Sequence, residues 1–238
     1  HENQTARQHE QEPDITQPPF ASPAPTQQTA DAGRSVLATL RALVPNRTIT
    51  FTESLRIAEL QAARLRTILN VGDEDLPEDA IVGLPRIRIV RRRLPTSGVS
   101  YWDGQAWVIA LNILEPDTRQ HFTLMHEYKH ILDHGHVERL YTGTTTTSAQ
   151  QQAEHAADYF AGCALMPKKL VKRAWGNRIQ TPEALAGMFD VSPRAVEVRL
   201  AQLGLTEPTR RCETAGSRRS GWRSQRYFRS LSTNWRAA

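Results

Sequence analysis

From residue 51 onward the chain switches between two apolar periods. Leu55, Ala58, Ala62, Leu65 and Leu69 recur at helical spacing after Thr52-Glu53-Ser54, with Asn70 and Gly72 as stop signals, so an amphipathic helix is predicted there. Past Leu84-Pro85 the period shortens. Ile87-Arg88-Ile89-Val90 reads as a short strand and residues 99–109 as a hairpin turned on Asp103-Gly104. A small antiparallel sheet is the expectation, with Trp107 to Leu111 as the strand that would border a cleft. Helical spacing returns at Leu124, Met125, Tyr128, Ile131 and Leu132. Asp117 with Gln120 fits a capping box, placing that helix start near Thr118, and Gly135 supplies its stop. This helix is expected to lie over the one at residues 52–69. Another helix opens after Thr147 or Ser148 and buries Ala157, Phe160, Ala161, Ala164 and Leu165, and Lys168 to Trp175 begins a further one. Thr181-Pro182 and Ser192-Pro193 are two cap-and-proline starts, the layout of a helix-turn-helix. The fold class is α+β, a small sheet ahead of helices.

The ends follow neither period. Residues 1–34 are rich in Gln, Pro, Thr and charge and hold too little apolar surface to offset the entropy of ordering, so they read as disordered. Residues 207–238 read as a basic, disordered tail. Eight arginines against Glu213 give the stretch from Thr209 a charge of +7 on a chain of +5, so the basic balance belongs to the tail and the remainder is −2. Trp222, Tyr227, Phe228 and Trp235 are interleaved with those arginines, a composition suited to nucleic acid or acidic lipid. Between the ends, residues 35–176 are expected to form one catalytic domain, with the helical segment 177–206 packed on it. As a DNA reader that segment offers Arg194, Arg199 and Gln202, with Glu197 among them. No apolar run approaches the roughly 18 residues of a membrane span. Cys163 and Cys212 make no disulfide framework; Cys163 reads as a small core residue, and a cytoplasmic protein is expected.

The chemistry lies in His126-Glu127-Tyr128-Lys129-His130. On a helix, residues i and i+4 share a face, so both imidazoles can reach one metal while Glu127 can reach a water beside it. His126, His130 and Asp133 gather on the polar side of that helix, opposite the apolar stripe. A catalytic zinc usually takes three protein ligands, so a third donor is needed. His136 stands ten residues after His126, but the glycine that such a site uses for its bend is replaced by Asp133. Glu154 is the preferred candidate. Asp158, one turn beyond it, can accept the ring N–H of a ligating histidine and fix its tautomer. His155 and Tyr141 are candidate donors to an oxyanion, and His121 and His134 read as surface residues.

His126-Glu-x-x-His130 followed by Glu154-x-x-Ala157-Asp158-x-Phe160-Ala161-x-x-x-Leu165-Met166-Pro167 resembles the ImmA/IrrE family of metallo-endopeptidases, over roughly residues 50–205. The resemblance implies a zincin-like fold, one Zn²⁺ per chain on His126, His130 and Glu154, and Glu127 as general base; Mn²⁺ suits the same donors. It also implies a protein substrate, a helix-turn-helix repressor whose cleavage derepresses a mobile element or stress regulon. Two other readings stand beside it: a non-catalytic, zinc-stabilised DNA-binding regulator, and a zinc hydrolase of some non-peptide substrate.

Overall fold

The computed structural model describes residues 36–206. Residues 1–35 and 207–238, and with them the N-terminal segment, Cys212 and the Arg-aromatic tail, lie outside the described residues. A helical stretch at 36–41 (α1) precedes α2 (Phe51–Ile68) and the short α3 (Glu78–Val82). Three strands follow: β1 (Ile87–Arg92), β2 (Gly98–Trp102) and β3 (Trp107–Asn112). The rest is helical: α4 (Asp117–Asp133), α5 (Val137–Leu140), α6 (Ala149–Leu165), α7 (Lys168–Gly176), α8 (Pro182–Phe189) and α9 (Pro193–Gln202). This is the expected α+β arrangement.

Local chemistry explains most boundaries. Thr50 caps α2 by accepting from the Glu53 amide at 3.3 Å, while the Glu53 carboxylate accepts from the Thr50 amide at 2.9 Å and pairs with Arg47 at 2.7 Å. Asn70 and Gly72 take positive φ of 54° and 59° just past the helix end. Ser148 and Gln151 form the same reciprocal cap on α6, and Thr181 and Ser192 cap α8 and α9 with Pro in the first turn. The capping box expected at Asp117 does not form. Pro116 occupies the cap position, and the Gln120 amide is engaged by the Glu115 carbonyl at 2.8 Å and by Arg91 at 3.0 Å.

The sheet corrects two expectations. Its order is β1-β3-β2, with β3 antiparallel to β2 but parallel to β1, so it is mixed rather than antiparallel. Trp107 to Leu111 is therefore the central strand, not an edge, and β2 borders the cleft instead. The reason is burial: Val108, Ile109, Ala110 and Leu111 are each at most 1 % exposed, and an unbroken apolar run suits a central strand rather than an edge.

One core joins the sheet and the helices, including Leu65, Leu124, Tyr128, Phe160, Leu185 and Leu200. Segment 177–206 thus buries its apolar side in the same core as the motif helices. A third correction concerns α2, which packs chiefly on α6 rather than beneath α4. Arg66, 6 % exposed, fastens that contact by donating to the Ala164 carbonyl at 3.0 Å, and the Tyr159 hydroxyl donates to Glu59 at 3.4 Å. Arg199 is equally committed. It is 2 % exposed, donates to the Met166 carbonyl at 3.0 Å and lies over the Tyr159 ring, while Arg194 pairs with Glu197 at 2.6 Å. The second helix of the pair therefore lacks the basic face that a DNA reader needs. Among the described residues, no helix is long and apolar enough to cross a membrane.

Candidate metal centre

α4 and α6 lie side by side, and their facing turns bring the motif residues together. The Nε2 atoms of His126 and His130 are 3.1 Å apart. Glu154 closes the triangle, with Oε2 3.4 Å from His126 Nε2 and Oε1 3.6 Å from His130 Nε2. Three donor atoms within 4.8 Å of one another form a group that could hold a metal ion, the only such group among the described residues. Asp158 Oδ1 lies 2.8 Å from His126 Nδ1. A carboxylate at that position accepts, so a ring proton sits on Nδ1, and release of the other proton leaves the Nε2 lone pair facing the triangle.

The electrostatics fit a cation. Burial opposes charge on His126, but hydrogen bonds to Asp158 and Glu154 and the nearby Glu127 carboxylate outweigh it and push its pKa up to about 10. Burial, aided by the charge of His126, pulls His130 down. The imidazole pair thus carries one positive charge among three carboxylates, where the charge of a divalent ion would take its place. Two nitrogens and one carboxylate oxygen are also a donor set that suits zinc.

Glu127, 8 % exposed, sits beside this triangle and is held by a residue the motif does not announce. The Ser100 hydroxyl donates to Glu127 Oε2 at 2.8 Å. Ser100 lies on β2, between Gly98 and Trp102 in the row facing α4. A Cβ at Gly98 would fall 2.5 Å from Thr123 Cγ2 and 3.2 Å from Glu127 Cγ, so glycine there lets the strand press against the helix. A small polar residue in a helix-facing row was the available clue to Ser100.

Other candidates lie elsewhere. Neither oxyanion candidate is placed for that role: His155 is exposed and packs its ring on Phe51, with centroids 5.4 Å apart, and the Tyr141 hydroxyl donates to Asp133 Oδ2 at 2.6 Å. Burial raises the Tyr141 pKa further, keeping that proton in place. Asp133, expected on the cleft side, is 2 % exposed and also accepts from the fully buried Lys129 ammonium. His136 takes a hydrogen bond from Arg139 and stays out of the donor group. His134 is exposed against Trp107, whereas the His121 ring is largely enclosed, with no hydrogen-bond partner for its Nε2. Cys163 is buried, as expected, and burial lifts its thiol to about 11.

Comparison with known proteins agrees with this geometry. Residues 86–201 match the Peptidase_M78 family, described as the IrrE N-terminal-like domain. A search of curated proteins finds no significant match. Among solved structures, a Mycobacterium tuberculosis transcriptional regulator is similar, with a TM-score of 0.50 and 16 % identity over 70 % of this chain and 51 % of that one. This chain spans about half the length of that structure, and the likeness concerns the fold. Residues 86–201, which carry the paired helices of the donor triangle, are thus similar over that whole stretch to the IrrE N-terminal-like domain of the Peptidase_M78 family.

Proposed function

We propose that this chain is a zinc-dependent endopeptidase of the cytoplasm that cuts a helix-turn-helix repressor and so releases a mobile element or a stress regulon. The observation that carries the reading is Glu127 beside the His126–His130–Glu154 triangle, with one carboxylate oxygen held by Ser100. A purely structural metal site has no use for a base there.

A divalent cation on these three donors, zinc or alternatively Mn²⁺, polarises a peptide carbonyl and acidifies water when bound. The protein's own groups do the rest. Asp158 keeps the His126 proton on Nδ1 and so holds the ring in register. Glu127, aimed by Ser100 through Oε2, takes a proton from the attacking water and passes it to the departing amine. β2 has β3 on one side and no described strand on the other. An extended substrate segment can pair with that free edge, which lays its backbone along the cleft in front of Glu127.

Co-expression of the chain with repressors encoded near its gene tests the reading. Glu127→Gln is expected to retain one metal ion per chain while cleavage falls by about 10²- to 10⁴-fold. A non-catalytic regulator would keep its activity in that variant, and a panel of ester and amide substrates separates a peptidase from a hydrolase of other compounds.

A further inference from the structure

Five of the eight residues from Arg86 to Arg93 are arginine, and none of the three strands contains an acidic residue. Two of the five are neutralised: Arg91 forms a forked pair with Glu78 at 2.5 and 2.6 Å and Arg88 pairs with Asp103. Arg86, Arg92 and Arg93 are exposed and have no carboxylate partner among the described residues. Strand alternation sends Ile87 and Ile89 toward the core and Arg88, Val90 and Arg92 to the opposite face. The register puts Arg88, Val108 and Tyr101 in one row and Val90, Ala110 and Val99 in the next. α4 covers the other face. Val108 and Ala110, each at most 1 % exposed, belong to neither core cluster.

We propose that the basic β1 edge, with the residues that flank it, binds the phosphate backbone of a nucleic acid. Three unneutralised guanidinium groups stand along this stretch, Arg92 within β1 and Arg86 and Arg93 just beyond its two ends, and a run of negative charges satisfies all of them where a lone carboxylate satisfies one. The half-exposed Tyr101, in the same row as Arg88, offers a ring on which a base can stack. Charge complementarity thus falls on the sheet and not on α9, whose Arg199 is internal. The inference is independent of the peptidase reading.

The test uses the full chain, with its Arg-rich tail intact, and labelled single-stranded and duplex oligonucleotides, following affinity by anisotropy across a salt series. In the triple variant Arg86→Ala, Arg92→Ala, Arg93→Ala, the slope of log affinity against log salt is expected to fall by roughly 2 to 3, while the matching triple Lys variant keeps it. Circular dichroism of both variants should match the parent, since the three side chains are exposed. An unchanged slope in the Ala variant would mean that the tail does all the binding and that the arginines only guard a sheet edge, which overturns the proposal. Absence of binding overturns it as well, as does equal displacement by polyglutamate, which would mark a site for an acidic protein.

Discussion

Ser100 and Glu127 are 27 positions apart in the chain and 2.8 Å apart in space. Their bond fixes which oxygen of the base is engaged and which faces the cleft. Ser100→Ala is expected to lower turnover roughly ten-fold, in line with losing a hydrogen bond to a charged group, and to leave metal stoichiometry unchanged. Equal loss of metal and activity would show instead that Ser100 maintains the donor triangle. The candidate donors were legible as a group in the sequence, because their relations are local: His126 and His130 one turn apart, Glu154 and Asp158 one turn apart. Ser100 was not, since its role depends on which strand lies over α4, and no local spacing specifies that. The proposed role of Tyr141 failed for the same reason, its hydroxyl being claimed by an Asp133 whose burial the helical pattern did not reveal.

At the level of elements, helices announced themselves through their caps and strands only through their existence. Ser148, Thr181 and Ser192 cap as their side-chain chemistry suggests, whereas α2 is capped by Thr50, two residues ahead of the Thr52 signal, and α4 by Pro116 in place of Asp117. The order of the strands was hidden, because alternation looks alike in edge and central strands; the continuous apolar run of β3 was the one hint of its central place. The cap of α2 makes a pH prediction. Arg47 and the Thr50 amide hold the Glu53 carboxyl down to about 2, from an ordinary 4.5. A depressed carboxyl stabilises the fold above its unfolded pKa, and that contribution disappears as pH falls from about 4.5 through about 2. Glu53→Gln should therefore flatten the acid limb of a thermal-stability profile in that window. Thr50→Ala should cost about 1 kcal/mol across the whole range in denaturant titration. If the acid limb of Glu53→Gln overlays that of the parent, the cap does not govern it.

Across the whole molecule, the centre sits on a seam. α4 is held by the sheet and α6 by α2, and the loop between them is secured by the buried Asp133 with Lys129 and Tyr141. Arg41 adds to this by donating to the Ile131 carbonyl at 2.7 Å. Lys129 has no exposed surface, and burial lowers its pKa. Asp133→Ala strands that ammonium without its partner and is expected to cost about 3 to 5 kcal/mol in equilibrium unfolding. A loss below 1 kcal/mol would mean that the interior relaxes to admit water. Two of the three donors thus ride with the sheet and the third with α2. A small slide of one layer past the other changes the size of the donor triangle without altering any donor, so a binder gripping both layers at a distance would act on the centre as fingers act on the handles of tweezers.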